Sequence, residues 1–148
     1  MSEEPVNEIP VAQPAPVLGL PLRAATPQVT YVLIGVTVAF YLLQQMSIFL
    51  FGYAPFGMDW LEYFGARVNA AILSGQFWRL LTPLLLHGSV LHIAFNMYAL
   101  LSFGSFLEPL LGHWRFLLLY ILAGLSGNVF SFLFSRGYSI GASTAVFG

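Results

Sequence analysis

At 148 residues, 58% hydrophobic and only 7% charged, the chain carries more apolar surface than so short a polypeptide can hide from water. Its mean hydropathy of +0.81 requires lipid as part of its solvent, and a net charge of -1 offers nothing for nucleic acid to bind. The sequence contains no cysteine, which excludes disulfides, thiolate metal sites and thiol nucleophiles.

Residues 1–28 are expected to form a disordered tail. Glu3, Glu4 and Glu8 alternate with Pro5, Pro10, Pro14, Pro16 and Pro21, without an apolar period. There is no basic start of the kind a signal peptide has. Residues 29–51 contain no charged residue and read as a first transmembrane helix, since a rise of about 1.5 Å per residue crosses a hydrocarbon core of about 30 Å. Thr26-Pro27 just ahead of it reads as a cap followed by proline in the first turn.

Residues 52–86 are interrupted by Gly52, Pro55, Gly57, Gly65, Gly75 and Pro83, which rules out a spanning helix. The stretch is nevertheless rich in aromatics such as Trp60, Tyr63, Phe64, Phe77 and Trp78, so it reads as an interfacial loop partly embedded in the headgroup zone. A second span covers residues 90–111 and a third covers residues 114–134, where Ala123-x-x-x-Gly127 offers a close-packing face. Arg136 and Gly137 mark a turn, and Ser143 opens a fourth apolar segment. The expected fold class is therefore all-α and polytopic, with three full transmembrane helices and the start of a fourth. The five basic residues do not fix its orientation.

Ionisable and strongly polar groups at membrane depth point to function. His92 and Asn96 stand one turn apart and share a helix face, whereas Glu108 lies roughly 24 Å further along and about 160° around. Glu108 is expected to bond a neighbouring segment near the far membrane surface. The His92/Asn96 pair admits three readings. It serves as polar glue between helices, or as metal ligands with His87, or as two donors aimed at one developing oxyanion. The metal reading lacks a carboxylate or third imidazole at a matching spacing. Ser143 follows Gly141, which permits a tight turn, and Phe147 falls on the same face one turn later. By itself a serine there is an ordinary helix cap.

Taken together, these pieces resemble the rhomboid family of intramembrane serine proteases. They are Trp78-Arg79, His87-x4-His92-x3-Asn96-Met97, Gly104-x3-Glu108-x3-Gly112 and Gly141-Ala142-Ser143, in that order, across residues 29–148. The resemblance implies a rhomboid-like helical bundle, six helices in the family and incomplete here, with an active site below the membrane surface and open to water. It implies Ser143 as nucleophile, an oxyanion hole from His92, Asn96 and the Ser143 N–H, and supporting positions at Arg79, His87, Glu108 and Gly141, to which the i+4 spacing from Ser143 adds Phe147 as a further support. It further implies transmembrane protein substrates, a lipid bilayer as the setting, no nucleic acid, and neither metal nor organic cofactor. A bacterial-type plasma membrane with a cytoplasmic N-terminus is expected.

Two features depart from the family pattern. Thr144 stands where the family usually has glycine, and a β-branched residue narrows the backbone angles there. The family's general base is a histidine on the sixth helix, so residues 1–148 are expected to be an N-terminal portion that is inactive by itself. The alternatives are a non-catalytic rhomboid-like protein that binds transmembrane helices, and a polytopic scaffold whose polar groups are all structural.

Overall fold

The computed structural model describes residues 26–135 and 137–146. Nearly all of the expected tail, Arg136 of the expected turn, and Phe147 lie outside the described residues. Among the described residues three helices are long and apolar enough to cross a membrane: α1 (Gln28–Phe51), α4 (Val90–Leu111) and α5 (His113–Phe134). Between α1 and α4 run two short helices, α2 (Trp60–Gly65) and α3 (Asn69–Leu73), and single 3₁₀ turns at Pro55–Gly57, Phe77–Leu80 and Thr82–Leu85. A last turn of helix, α6 (Ser143–Val146), packs against α5. The chain is an integral membrane protein that crosses the bilayer more than once.

Many polar side chains are buried and many large apolar ones are exposed, as lipid solvation permits. Phe49, Phe95 and Trp114 are 87%, 70% and 81% exposed, while on α1 the buried positions are Thr30, Thr37, Gln44 and Ser47. Thr30, Thr37 and Gln44 recur every seven residues and so form one stripe along α1. The small apolar core is Leu84, Leu100, Phe116 and Tyr120, between the 3₁₀ turns, α4 and α5.

The start of α1 corrects an expectation. Thr26 does not cap the helix; Pro27 takes the N-cap position, with no side-chain bond. The cap comes instead from Glu108 near the end of α4, whose carboxylate accepts from the Val29 and Thr30 N–H groups (both 2.8 Å) and from the Thr30 hydroxyl (2.7 Å). His113 Nδ1 pairs with the same carboxylate. An anion at the positive end of a helix dipole holds these otherwise orphaned donors better than a hydroxyl would.

Small residues set the helix spacing. A methyl group at Gly104 would collide with Thr30, so α1 and α4 meet closely there. On α5 the close approaches are at Gly124, against Leu84 and Ala145, and at Gly127, against Thr144. Gly127 belongs to the expected close-packing face, and Gly124 adds a second close approach on α5.

Candidate active site

The site is assembled where the interfacial segment meets the start of α4 and the turn into α6. Ser89 caps α4, its hydroxyl accepting from the His92 N–H (3.2 Å), which places His92 in the first helical turn. His87, just before this cap, is 1% exposed. Its ring stands edge-on to that of His92 with centroids 5.0 Å apart. Burial, reinforced by the neighbouring His92, pushes the His87 pKa down to about 4, so the ring is neutral at physiological pH.

Gln44 of α1 fixes the backbone of His87. Its Oε1 accepts from the His87 N–H (3.0 Å) and its Nε2 donates to the His87 carbonyl (3.3 Å). The same Nε2 donates to Asp59 Oδ2 (2.7 Å), which determines which way round the amide sits. Asp59 in turn caps α2 through the Glu62 N–H (2.9 Å).

The turn that carries Ser143 is held from the same side. Gly141 has φ +114°, a conformation that side chains disfavour, and its N–H donates to the Pro83 carbonyl (2.8 Å). Ala142 is fully buried, and its N–H donates to His87 Nε2 (3.4 Å). A methyl group built on Gly141 would lie 2.5 Å from His92 Nε2 and 3.6 Å from Ser143 Oγ, so those two atoms are within about 6 Å of each other. Asn96 is 3% exposed and donates Nδ2 to the His92 carbonyl one turn back (3.0 Å).

Of the residues singled out from the sequence, the structure thus groups Ser143, Gly141, His92 and His87, with Asn96 one turn deeper on α4. Arg79 and Glu108 lie elsewhere. Arg79 braces the interfacial segment, its guanidinium donating to the Ala66 carbonyl (2.8 Å), the Tyr63 carbonyl (3.0 Å) and Gln76 Oε1 (2.7 Å). Glu108 ties the far end of α4 to α1. Thr144 lies against Gly127 of α5.

Sequence reasoning missed Gln44, Asp59 and Arg67. Gln44, in a span without charge and in heptad register with Thr30 and Thr37, carried that periodicity as its available signal.

The class of protein defined here is a bundle of membrane-spanning helices with a serine turn seated beside two histidines. The family model for the Rhomboid domain matches residues 74–148, and the chain belongs to the rhomboid family. It is 40% identical over 122 residues to "Rhomboid protease GluP" of Bacillus subtilis, covering 82% of this chain and 23% of that protein. It is 42% identical over 84 residues to "RHOMBOID-like protein 9, chloroplastic" of Arabidopsis thaliana, covering 57% of this chain and 19% of that protein. Over 82 residues it is 39% identical to "Putative rhomboid protease YdcA" of Bacillus subtilis, covering 54% of this chain and 41% of that protein. The chain thus spans between about a fifth and two fifths of the length of these relatives.

Proposed function

We propose that the protein is a serine-type endopeptidase that cleaves peptide bonds in or near transmembrane segments of membrane proteins. The observation that carries this reading is the turn at Gly141, which seats Ser143 Oγ within about 6 Å of His92 Nε2. The relatives' names, which include rhomboid proteases, support the same activity.

In this reading Ser143 Oγ attacks the scissile carbonyl carbon and its proton passes to a histidine base. We place that base outside residues 1–148, because His87 Nε2 already accepts from the Ala142 N–H and burial lowers the proton affinity of the ring, which makes it a weak base. Negative charge develops on the carbonyl oxygen. His92, the remaining amide hydrogen of Asn96, and the Ser143 N–H donate to it. Collapse breaks the C–N bond, the amine leaves with the base's proton, and water hydrolyses the acyl-enzyme to regenerate the hydroxyl. A transmembrane substrate must unwind locally first, since its helical carbonyls are otherwise hydrogen-bonded. The N-terminus faces the cytoplasm and the interfacial segment faces outward.

The test is cleavage of a fluorogenic transmembrane substrate by the full-length protein in liposomes. Ser143→Ala is expected to reduce cleavage to background, and undiminished cleavage by that variant refutes the assignment. If wild type and variant both retain the substrate uncut, the protein binds transmembrane helices without hydrolysing them.

A further inference from the structure

Arg67 is fully buried, yet among the described residues every hydrogen-bond partner of its guanidinium is a neutral oxygen. Burying a cation is costly unless its donors are well satisfied, so so dense a set of acceptors indicates that the position does something specific. The acceptors lie 64 to 72 residues away in sequence, apart from Asn69 Oδ1 two residues on.

These acceptors form a pattern. Nη1 reaches the Ser131 and Ser135 carbonyls (3.3 and 3.5 Å), at the negative end of α5. Nη2 donates to the Gly137 carbonyl (2.7 Å) and Nε to Ser139 Oγ (2.8 Å). The main chain of Arg67 adds an antiparallel bridge, donating to the Ser139 carbonyl (3.0 Å) and accepting from the Ser139 N–H (3.2 Å). Asn69 completes the grip by donating to the Phe132 and Ser135 carbonyls (2.9 and 3.0 Å). One residue of the interfacial segment therefore holds the end of α5 and the strand of chain leading to Gly141.

We propose that Arg67 is a positioning residue for the Gly141-Ala142-Ser143 turn, clamping the incoming chain so that the serine is delivered in register beside His92. The catalytic part of this claim rests on the protease reading; the mechanical part does not. Ser139 is held by Arg67, Gly141 by the Pro83 carbonyl and Ala142 by His87 Nε2. A slip at Ser139 has only two residues in which to dissipate before it reaches the turn, and a shift of about 1 Å at reacting atoms is enough to cost about 10²-fold in rate.

The test uses the full-length protein in nanodiscs and two readouts: the rate at which a fluorophosphonate probe labels Ser143, and hydrogen exchange at the Ser139, Gly141 and Ala142 amides. Arg67→Ala is expected to slow labelling at least about tenfold and to speed exchange at those three amides at least about tenfold. Exchange within α4 stays at the wild-type rate. Ser139→Ala, which removes one side-chain bond and spares the main-chain bridge, is expected to move both readouts in the same direction but less, and covers the case in which Arg67→Ala does not fold. Unchanged exchange at the three amides in both variants overturns the proposal. So does a uniform rise across α4 and α5, which would make Arg67 merely a stability residue. If the wild type is not labelled at Ser143, the protease reading fails, and the exchange result still decides whether Arg67 clamps the turn.

Discussion

Replacing Gly141 with alanine adds a single methyl group where the structure has no room for one. Its carbon would lie 2.5 Å from His92 Nε2 and 2.7 Å from His92 Cε1, well inside van der Waals contact, on a residue whose φ is +114°. The backbone conformation costs about 1–3 kcal/mol for a non-glycine residue. Overpacking a close-fitted site adds about 1–3 kcal/mol. The imidazole cannot swing away freely, because its ring packs edge-on against the buried ring of His87. The strain therefore moves the turn, and with it Ser143. Full-length Gly141→Ala protein is expected to lose about 2–6 kcal/mol of stability in thermal unfolding and to label with fluorophosphonate at least about tenfold more slowly than wild type. An alanine variant with wild-type Tm and wild-type labelling would refute the close contact between His92 and the serine turn.

Three further outcomes follow from the polar interior. Glu108→Ala strips the acceptor from two N–H groups and a hydroxyl at the start of α1, and is expected to cost about 2–4 kcal/mol in thermal unfolding, with Glu108→Gln costing less; equal Tm values for all three proteins would contradict the cap. Gln44→Leu leaves the His87 main chain and Asp59 without their shared partner and is expected to cost about 1–3 kcal/mol for each group stranded, read as a lower Tm together with faster exchange at the His87 amide. His87 gives a pH dependence with a definite sign. Its folded pKa, about 4, lies below the ordinary 6.5, so the unfolded chain binds the proton first, and the stability His87 contributes is present above pH 6.5 and lost as pH falls toward 4. Glu62, raised by burial and by Asp59, works in the opposite sense, so the His87 contribution is isolated as the difference between wild type and His87→Phe across that window. A difference that does not change with pH would contradict a buried neutral imidazole.

The extent of the helices was legible because lipid demands long apolar runs: the first and third helices begin one residue earlier than expected and the second spans residues 90–111 as expected. The interfacial segment was legible as a stretch that could not span, yet its internal turns were not, since they depend on side chains reaching distant carbonyls, as with Arg79 and Ala66. The pairing of His92 with the serine turn could be anticipated only through the family's motifs; residue spacing alone places His92 and Asn96 on one face and says nothing of what packs against them. Gln44 escaped because a span scanned for charge passes over neutral amides, although in a membrane these are the residues that face inward. Arg67 escaped for a different reason. Its partners are main-chain oxygens, which leave no trace in residue type, and an arginine in an interfacial loop ordinarily snorkels to water. Where the side chain of Thr144 packs was not legible either, since the room for it comes from the missing side chain of Gly127 on α5.

The most direct measurement is to map the adduct formed when a fluorophosphonate probe reacts with the full-length protein in a bilayer. The account predicts a single modified peptide carrying the phosphonyl group on Ser143, and no adduct in Ser143→Ala. Modification at another residue, or labelling that survives the substitution, would contradict it.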